Sequence, residues 1–191
     1  MDFHVESDAL SSAGRAAHDL GVAALIGGNL FARVAMHPAL AEISDERERG
    51  KVLNRAWRRY GSVNSAALGA VVIGWAGARA SETRPALLSP TERRLASAKD
   101  AAVLATAATG VASAVAGVRF ARSAPGGAVP MGDGDDPSED TPPGAARLKH
   151  AAGVLGALHL ASSISLAAVN ASLAQVNFRR PPARRLLRRR Y

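Results

Sequence analysis

The sequence contains no cysteine, and only 4% of its 191 residues are aromatic. The first absence excludes disulfides, thiolate metal sites and cysteine nucleophiles. The second removes most of the bulky material that fills a water-soluble core. Lysine is scarce too: of 24 basic residues only three are lysine. Charge of either sign is missing from three long windows, Tyr60 to Ala78 (19 residues), Ala101 to Val118 (18 residues) and His150 to Phe178 (29 residues). What is present is small and apolar, 42 alanines and 18 glycines within a chain that is 48% hydrophobic. An 18-residue helix rises about 27 Å, close to the ~30 Å hydrocarbon thickness of a bilayer. The expected fold is therefore all-α, an integral membrane antiparallel four-helix bundle forming one membrane domain over residues 1–191.

The formal charge of +8 and the pI near 11.1 admit nucleic acid as a partner. The placement of the basic residues argues against it, because they cluster between uncharged windows instead of lining one face. Spans are expected at about 20–40, 60–79, 101–120 and 150–176. The first carries Asn29 and Arg33, the latter one turn before the His37-Pro38 break, where its guanidinium can snorkel to the interface. The segment before it holds Asp2, Glu6, Asp8 and Asp19 against Arg15 alone, the reverse of a basic signal-peptide start, so no cleavage is expected.

Between the first two spans, Ser44-Asp45-Glu46-Arg47-Glu48 reads as a helix start. The arginine-rich residues that follow predict a separate amphipathic helix lying along the headgroups and turning inward at Tyr60, with Trp57 and Tyr60 as interfacial anchors. Ser89-Pro90-Thr91-Glu92 predicts a capped third helix starting near Pro90. Residues 123–144, rich in Gly, Pro, Asp and Ser, read as a disordered acidic loop. Its Asp133-Gly-Asp135-Asp136 run lacks EF-hand spacing, so no calcium site is expected. Residues 177–191 form a polybasic cytoplasmic tail in which Arg179, Arg180, Arg184, Arg185, Arg188, Arg189 and Arg190 would contact anionic lipid headgroups.

Small residues recur every fourth position, a pattern that lets helices approach closely in lipid. The sets are Ala24, Gly28 and Ala32; Ala66, Ala70, Gly74 and Ala78; Ala102, Thr106, Gly110 and Ala114; and Gly153, Ala157, Ala161 and Ser165. Polar residues inside spans are Asn29, Arg33, Asn64, His159 and Asn170 with Ser162, Ser163 and Ser165, and no carboxylate is among them. Asn29, Arg33 and His37, spaced by four, form one stripe expected to pack against a neighbouring helix. Asn29 and His159 are expected to bond across the first and fourth helices. His37 and His150 fall at the same membrane face, so they and His159 are the candidate cofactor-binding residues, for haem or quinone. No metal site is expected, and none of the motifs of phosphate loops or serine elbows occurs.

Met36-His37-Pro38-Ala39-Leu40, followed by a polar helix with Asn54 and Trp57, resembles small four-helix bacterial membrane proteins, in particular the anthrone-oxygenase-like family. The resemblance covers about a third of the chain, and Arg147-Leu-Lys-His150 stands in place of that family's aromatic-plus-arginine entry to the last helix. It implies a membrane redox enzyme, with no catalytic residues carried over. The residues themselves favour a non-enzymatic accessory or scaffold subunit without cofactor, with a small transporter as a further alternative. The expected partners are the bilayer, anionic lipids, and other membrane subunits or a second copy. The expected site is the bacterial cytoplasmic (inner) membrane, with both termini cytoplasmic.

Overall fold

A computed structural model describes residues 3–81 and 88–179, and among these the chain is helical with no strand. Helix α1 (Phe3–Phe31) passes into a π-helical turn (Ala32–Met36), a single α-turn α2 (His37–Ala39) and a 3₁₀ turn (Leu40–Glu42). Helices α3 (Glu46–Ser81), α4 (Pro90–Ala121) and α5 (Pro143–Arg179) follow. Alanine favours helix throughout. The ends are set locally, and both cap signatures are present. The Asp45 carboxylate accepts from the backbone N–H of Arg47 (2.7 Å) and Glu48 (3.1 Å). Ser89 and Glu92 form the reciprocal capping box, with Pro90 at the first helical position.

The π turn has a cause in the sequence. Proline has no N–H and its ring collides with the carbonyl four residues back. With Pro38 in place, the His37 N–H reaches back five residues to the Ala32 carbonyl. The helical path therefore continues through the break with one wider turn.

Helices α1 and α3 pack closely, as do α4 and α5. Partners along α1 and α3 run in opposite directions. Gly14 and His18 meet Gly74, Gly21 meets Ala67 and Val71, and Gly28 meets Tyr60. A Cβ on Gly21 would stand 2.6 Å from the Ala67 carbonyl oxygen, and on Gly74 2.6 Å from that of Gly14, so glycine permits the approach. On α4 and α5, Gly110 meets His159, and a methyl there would lie 2.9 Å from the imidazole. Val22, Leu25, Ala67, Val71, Val103 and Leu166 form the buried centre. A second core at the end where α1 stops and α3 starts gathers Leu40, Leu53, Phe120, Val129, Met131 and Ala145.

Four helices are long and apolar enough to cross a membrane, over Ser12–Glu42, Glu46–Arg79, Pro90–Ala121 and Pro143–Val176. Their outward surfaces are apolar: Leu20, Phe31, Val34, Ile73, Leu104 and Val154 are each more than half exposed. That much apolar exposure fits lipid, not water.

Three sequence expectations are corrected here. Among the described residues no separate interfacial helix lies between the first two spans, because α3 runs unbroken from Glu46 through Tyr60 to Ser81. Nothing near Tyr60 breaks the helix, and Gly61 is tolerated within it. Residues 123–144 are folded, not disordered: a 3₁₀ turn (Pro125–Gly127) with Gly126 and Gly127 at positive φ leads to fully buried Val129 and Met131. The small-residue set on α5 faces outward, since Ala157, Ala161 and Ser165 are exposed while Gly156, His159, Ser163 and Leu166 are buried. Helix α1 starts at Phe3, so the expected span at about 20–40 lies within a longer helical run.

Candidate functional site

The polar groups converge at the end of the molecule capped by residues 122–142. Arg49, on the first turn of α3, reaches up into this loop. Its Nε donates to the Ile43 carbonyl (2.6 Å), its Nη1 to those of Gly132 (2.8 Å) and Met131 (3.3 Å), and its Nη2 to that of Ala41 (3.4 Å). Asn54, one turn and a half along, donates to the Gly127 carbonyl at 2.8 Å. Backbone bonds complete the join, from Met131 N to Glu46 O and from Gly134 N to His37 O, each 3.1 Å. Inside the loop, Asp133 folds an Asx turn by accepting from the N–H groups of Asp135 (2.6 Å) and Asp136 (2.7 Å). Thr141 Oγ1 donates to the Pro130 carbonyl at 2.6 Å.

Beneath this cap lies His37. Its Nδ1 is 2.8 Å from Asp135 Oδ1, and its Nε2 is 3.3 Å from the indole Nε1 of Trp57. An indole N–H only donates, so His37 Nε2 accepts and Nδ1 carries the proton that goes to Asp135. The partners thus assign one neutral tautomer. Trp57 packs edge-on to His37 (ring centroids 6.0 Å apart) and to Tyr60 (6.2 Å). Tyr60 donates to the Ala24 carbonyl at 2.9 Å. The two aromatic residues expected at the lipid interface are therefore turned into the bundle. Lys149, 8% exposed in its side chain, stands 3.9 Å from the same Asp135 oxygen.

The candidate cofactor residues do not come together. His150 is exposed, whereas His37 is buried with both ring nitrogens engaged. His159 is buried between α4 and α5, where Nδ1 meets the Thr106 carbonyl at 3.0 Å. A carbonyl only accepts, so the His159 proton is on Nδ1 and Nε2 keeps its lone pair, with no partner among the described residues. Among those residues no group of three or more His, Asp or Glu could hold a metal ion.

The stripe on the first helix packs inward as expected, but with different partners. Asn29 donates to the Leu25 carbonyl in its own helix (2.9 Å), not to His159. Arg33 does not snorkel outward: its Nη2 donates to the Gly153 carbonyl of α5 at 3.0 Å. Asn64 has a buried carbonyl oxygen with no partner among the described residues, and Asn170 donates to Asp19 at 3.2 Å. At the opposite end Asp100 joins α4 to α3, accepting from Trp75 Nε1 (2.8 Å) and Arg79 Nε (2.9 Å) and pairing with Arg79 Nη2. Arg180, Arg184, Arg185, Arg188, Arg189 and Arg190 lie outside the described residues, and the side chain of Arg179 does as well.

Sequence reasoning missed Arg49, Asp135 and Lys149. One signal for the cap was available: the apolar pair Val129 and Met131, spaced by two inside an otherwise polar loop. Comparison with family models, curated proteins and solved structures finds no match to this chain.

Proposed function

We propose that this chain is a multi-pass membrane protein, an antiparallel four-helix bundle whose role is that of a non-enzymatic accessory or scaffold subunit. The observation that carries this reading is that the polar residues gathered at the capped end are engaged with the chain itself. Both nitrogens of His37, the Arg49 guanidinium and the Asn54 amide each bond to another part of the fold. A catalytic or ligating imidazole needs a free lone pair aimed at its target. His37 has none. The arrangement serves to hold a polar cap rigidly on one end of the bundle, a fixed surface on which another subunit can sit. On this reading the bundle lies in a bacterial cytoplasmic membrane with both termini in the cytoplasm. The polybasic tail then rests on anionic lipid there.

A membrane redox enzyme is the second reading. It is favoured by the free Nε2 of His159 and by the resemblance around His37 and Trp57, two residues that touch. One preparation separates the two. The chain, extracted with its native lipid and tagged at the N-terminus, should be free of haem and quinone absorbance and carry another membrane protein at fixed stoichiometry. A stoichiometric chromophore lost in His159→Ala would replace the scaffold reading with the redox one.

A further inference from the structure

Six exposed arginines stand at the capped end, Arg55, Arg58 and Arg59 on α3, Arg119 and Arg122 at the end of α4, and Arg147 on α5. Among the described residues no carboxylate pairs with any of them. Other cations of this end are matched within the fold. Lys51 pairs with Glu48 at 3.0 Å, Lys149 faces Asp135 at 3.9 Å, and Arg33 and Arg49 donate to backbone carbonyls. The six share one level along the bundle, because Leu53, Phe120 and Ala145, each within two residues of one of these sets, pack into the same buried core.

What lies beside them on each helix decides what they face. Residues separated by 4, 7 or 11 positions share a side of an α-helix. On α3 the exposed side that starts with Arg55 and Arg59 continues as Ala66 and Ile73. On α4 exposed Leu104, Val111 and Val115 lead to Arg122, and on α5 Arg147 is followed by exposed Ala151, Val154 and Leu158. Three outward stripes are thus apolar through the span and turn basic at the same end. The exposed carboxylates of this end belong to residues 42–45 or to the cap, and none lies on the stripes. The apolar length also fits. Arg59 to Arg79 on α3 and Lys99 to Arg119 on α4 are each 20 residues apart, about 30 Å of helix and the thickness of a hydrocarbon layer. That spacing puts the arginines at the depth of lipid phosphates, which a guanidinium binds through two parallel N–H donors.

We propose that these arginines form a belt that binds anionic phospholipid headgroups in the leaflet at the capped end, gathering such lipids around α3, α4 and α5. The belt rests on the membrane-spanning part of the function proposed above and goes beyond it. The anionic lipid assigned there belongs to the tail, which follows the far end of α5 and so meets the opposite leaflet.

The full chain, free of cysteine, takes a single bimane at Ala66→Cys or at Ile73→Cys, both exposed. The first lies 7 residues from Arg59, about 10 Å along the helix and in the belt's leaflet; the second lies 14 residues away, about 21 Å, in the other. Each protein is reconstituted in phosphatidylcholine with a minor fraction of phosphatidylglycerol, and either lipid is supplied with brominated acyl chains that quench bimane on contact. At position 66 the quenching should report about a fivefold preference for phosphatidylglycerol, reduced by high salt. Arg55→Gln, Arg58→Gln and Arg59→Gln together should bring that ratio to about one, while the quenching at position 73 stays as in wild type and shows that the variant is inserted alike. Equal quenching by the two lipids at position 66 in the wild type would overturn the proposal and leave the belt to an acidic protein surface. A preference that survives the triple substitution would overturn it too, by assigning the selection to other residues. No quenching by either lipid at both positions would overturn the membrane reading itself, and the belt with it.

Discussion

Replacing Arg49 by alanine should open the cap while leaving the helices in place. The guanidinium makes two short bonds to carbonyls, 2.6 Å to Ile43 and 2.8 Å to Gly132, and two long ones of 3.3 and 3.4 Å that contribute little. Bonds from a charged donor are worth about 1.5–3 kcal/mol each when dry. Arg49 is half-buried, so solvent screening reduces each short bond to about 1 kcal/mol. The cap should therefore lose about 2 kcal/mol against local opening, and its amide exchange should quicken roughly 30-fold. Hydrogen exchange with mass spectrometry in detergent reads this directly at Met131 and Gly134, whose N–H groups bond to Glu46 and His37. Peptides from the centres of α4 and α5 should be unaffected. Equal protection of residues 127–134 in wild type and Arg49→Ala would refute the energetic role given to Arg49. Unprotected amides there in the wild type would refute the folded cap itself.

The helix seams give a second set of outcomes. Gly110→Leu and Gly74→Leu should each destabilise the detergent-solubilised protein by about 1–3 kcal/mol, because their methylenes would enter His159 and Gly14. Ala157→Leu and Ala161→Leu, on the exposed face of α5, should stay within about 0.5 kcal/mol of wild type. Thermal melts that rank the two pairs equally would remove the assigned seam. Asp100→Asn should cost about 1 kcal/mol through the lost charge pair with Arg79 and should blue-shift the emission of Trp75, whose indole N–H loses an ionised acceptor; an unchanged melt and spectrum would show the link to be idle. For orientation, single cysteines at exposed Glu139 and Thr91 in this cysteine-free chain should label oppositely with an impermeant maleimide on intact cells, Glu139→Cys reacting and Thr91→Cys spared. The reverse would invert the proposed topology, and labelling of both would exclude it.

What could be read from the residues alone was local. The capping box at Ser89 and Glu92 is complete within four residues, and the long uncharged windows need only counting. The cap resisted reading because its stability depends on partners far along the chain. The Arg49 bond to Gly132 spans 83 residues and the His37 bond to Asp135 spans 98. By composition the loop is a linker, and only the burial of Val129 and Met131 makes it a folded element. The arginine-rich start of α3 misleads for a related reason. Arg55, Arg58 and Arg59 are exposed as a surface helix requires, yet Leu53, Asn54, Trp57 and Tyr60 on the opposite face meet α1 and the loop, not lipid. The α5 stripe failed because alanine and glycine recur so often in this chain that periodicity alone cannot choose a face. His159 and Ser163 choose it instead, by bonds across to Thr106 and back along α5.

The cap also orders events in time. It joins residues of the N-terminal helical pair, His37, Arg49 and Asn54, to a loop belonging to the C-terminal pair. When the first pair leaves the ribosome these three side chains face a partner not yet synthesised, separated by 73 to 98 residues. At about 5–20 residues per second the wait lasts roughly 4–20 s. During it an arginine and a histidine stand with unmet bonds at the rim of an incomplete bundle. Closure then requires the second pair to have inserted with its loop on the same side as residues 40–46. A chain whose halves enter with opposite polarity cannot close, so the cap acts as a built-in proof that both halves have been threaded correctly.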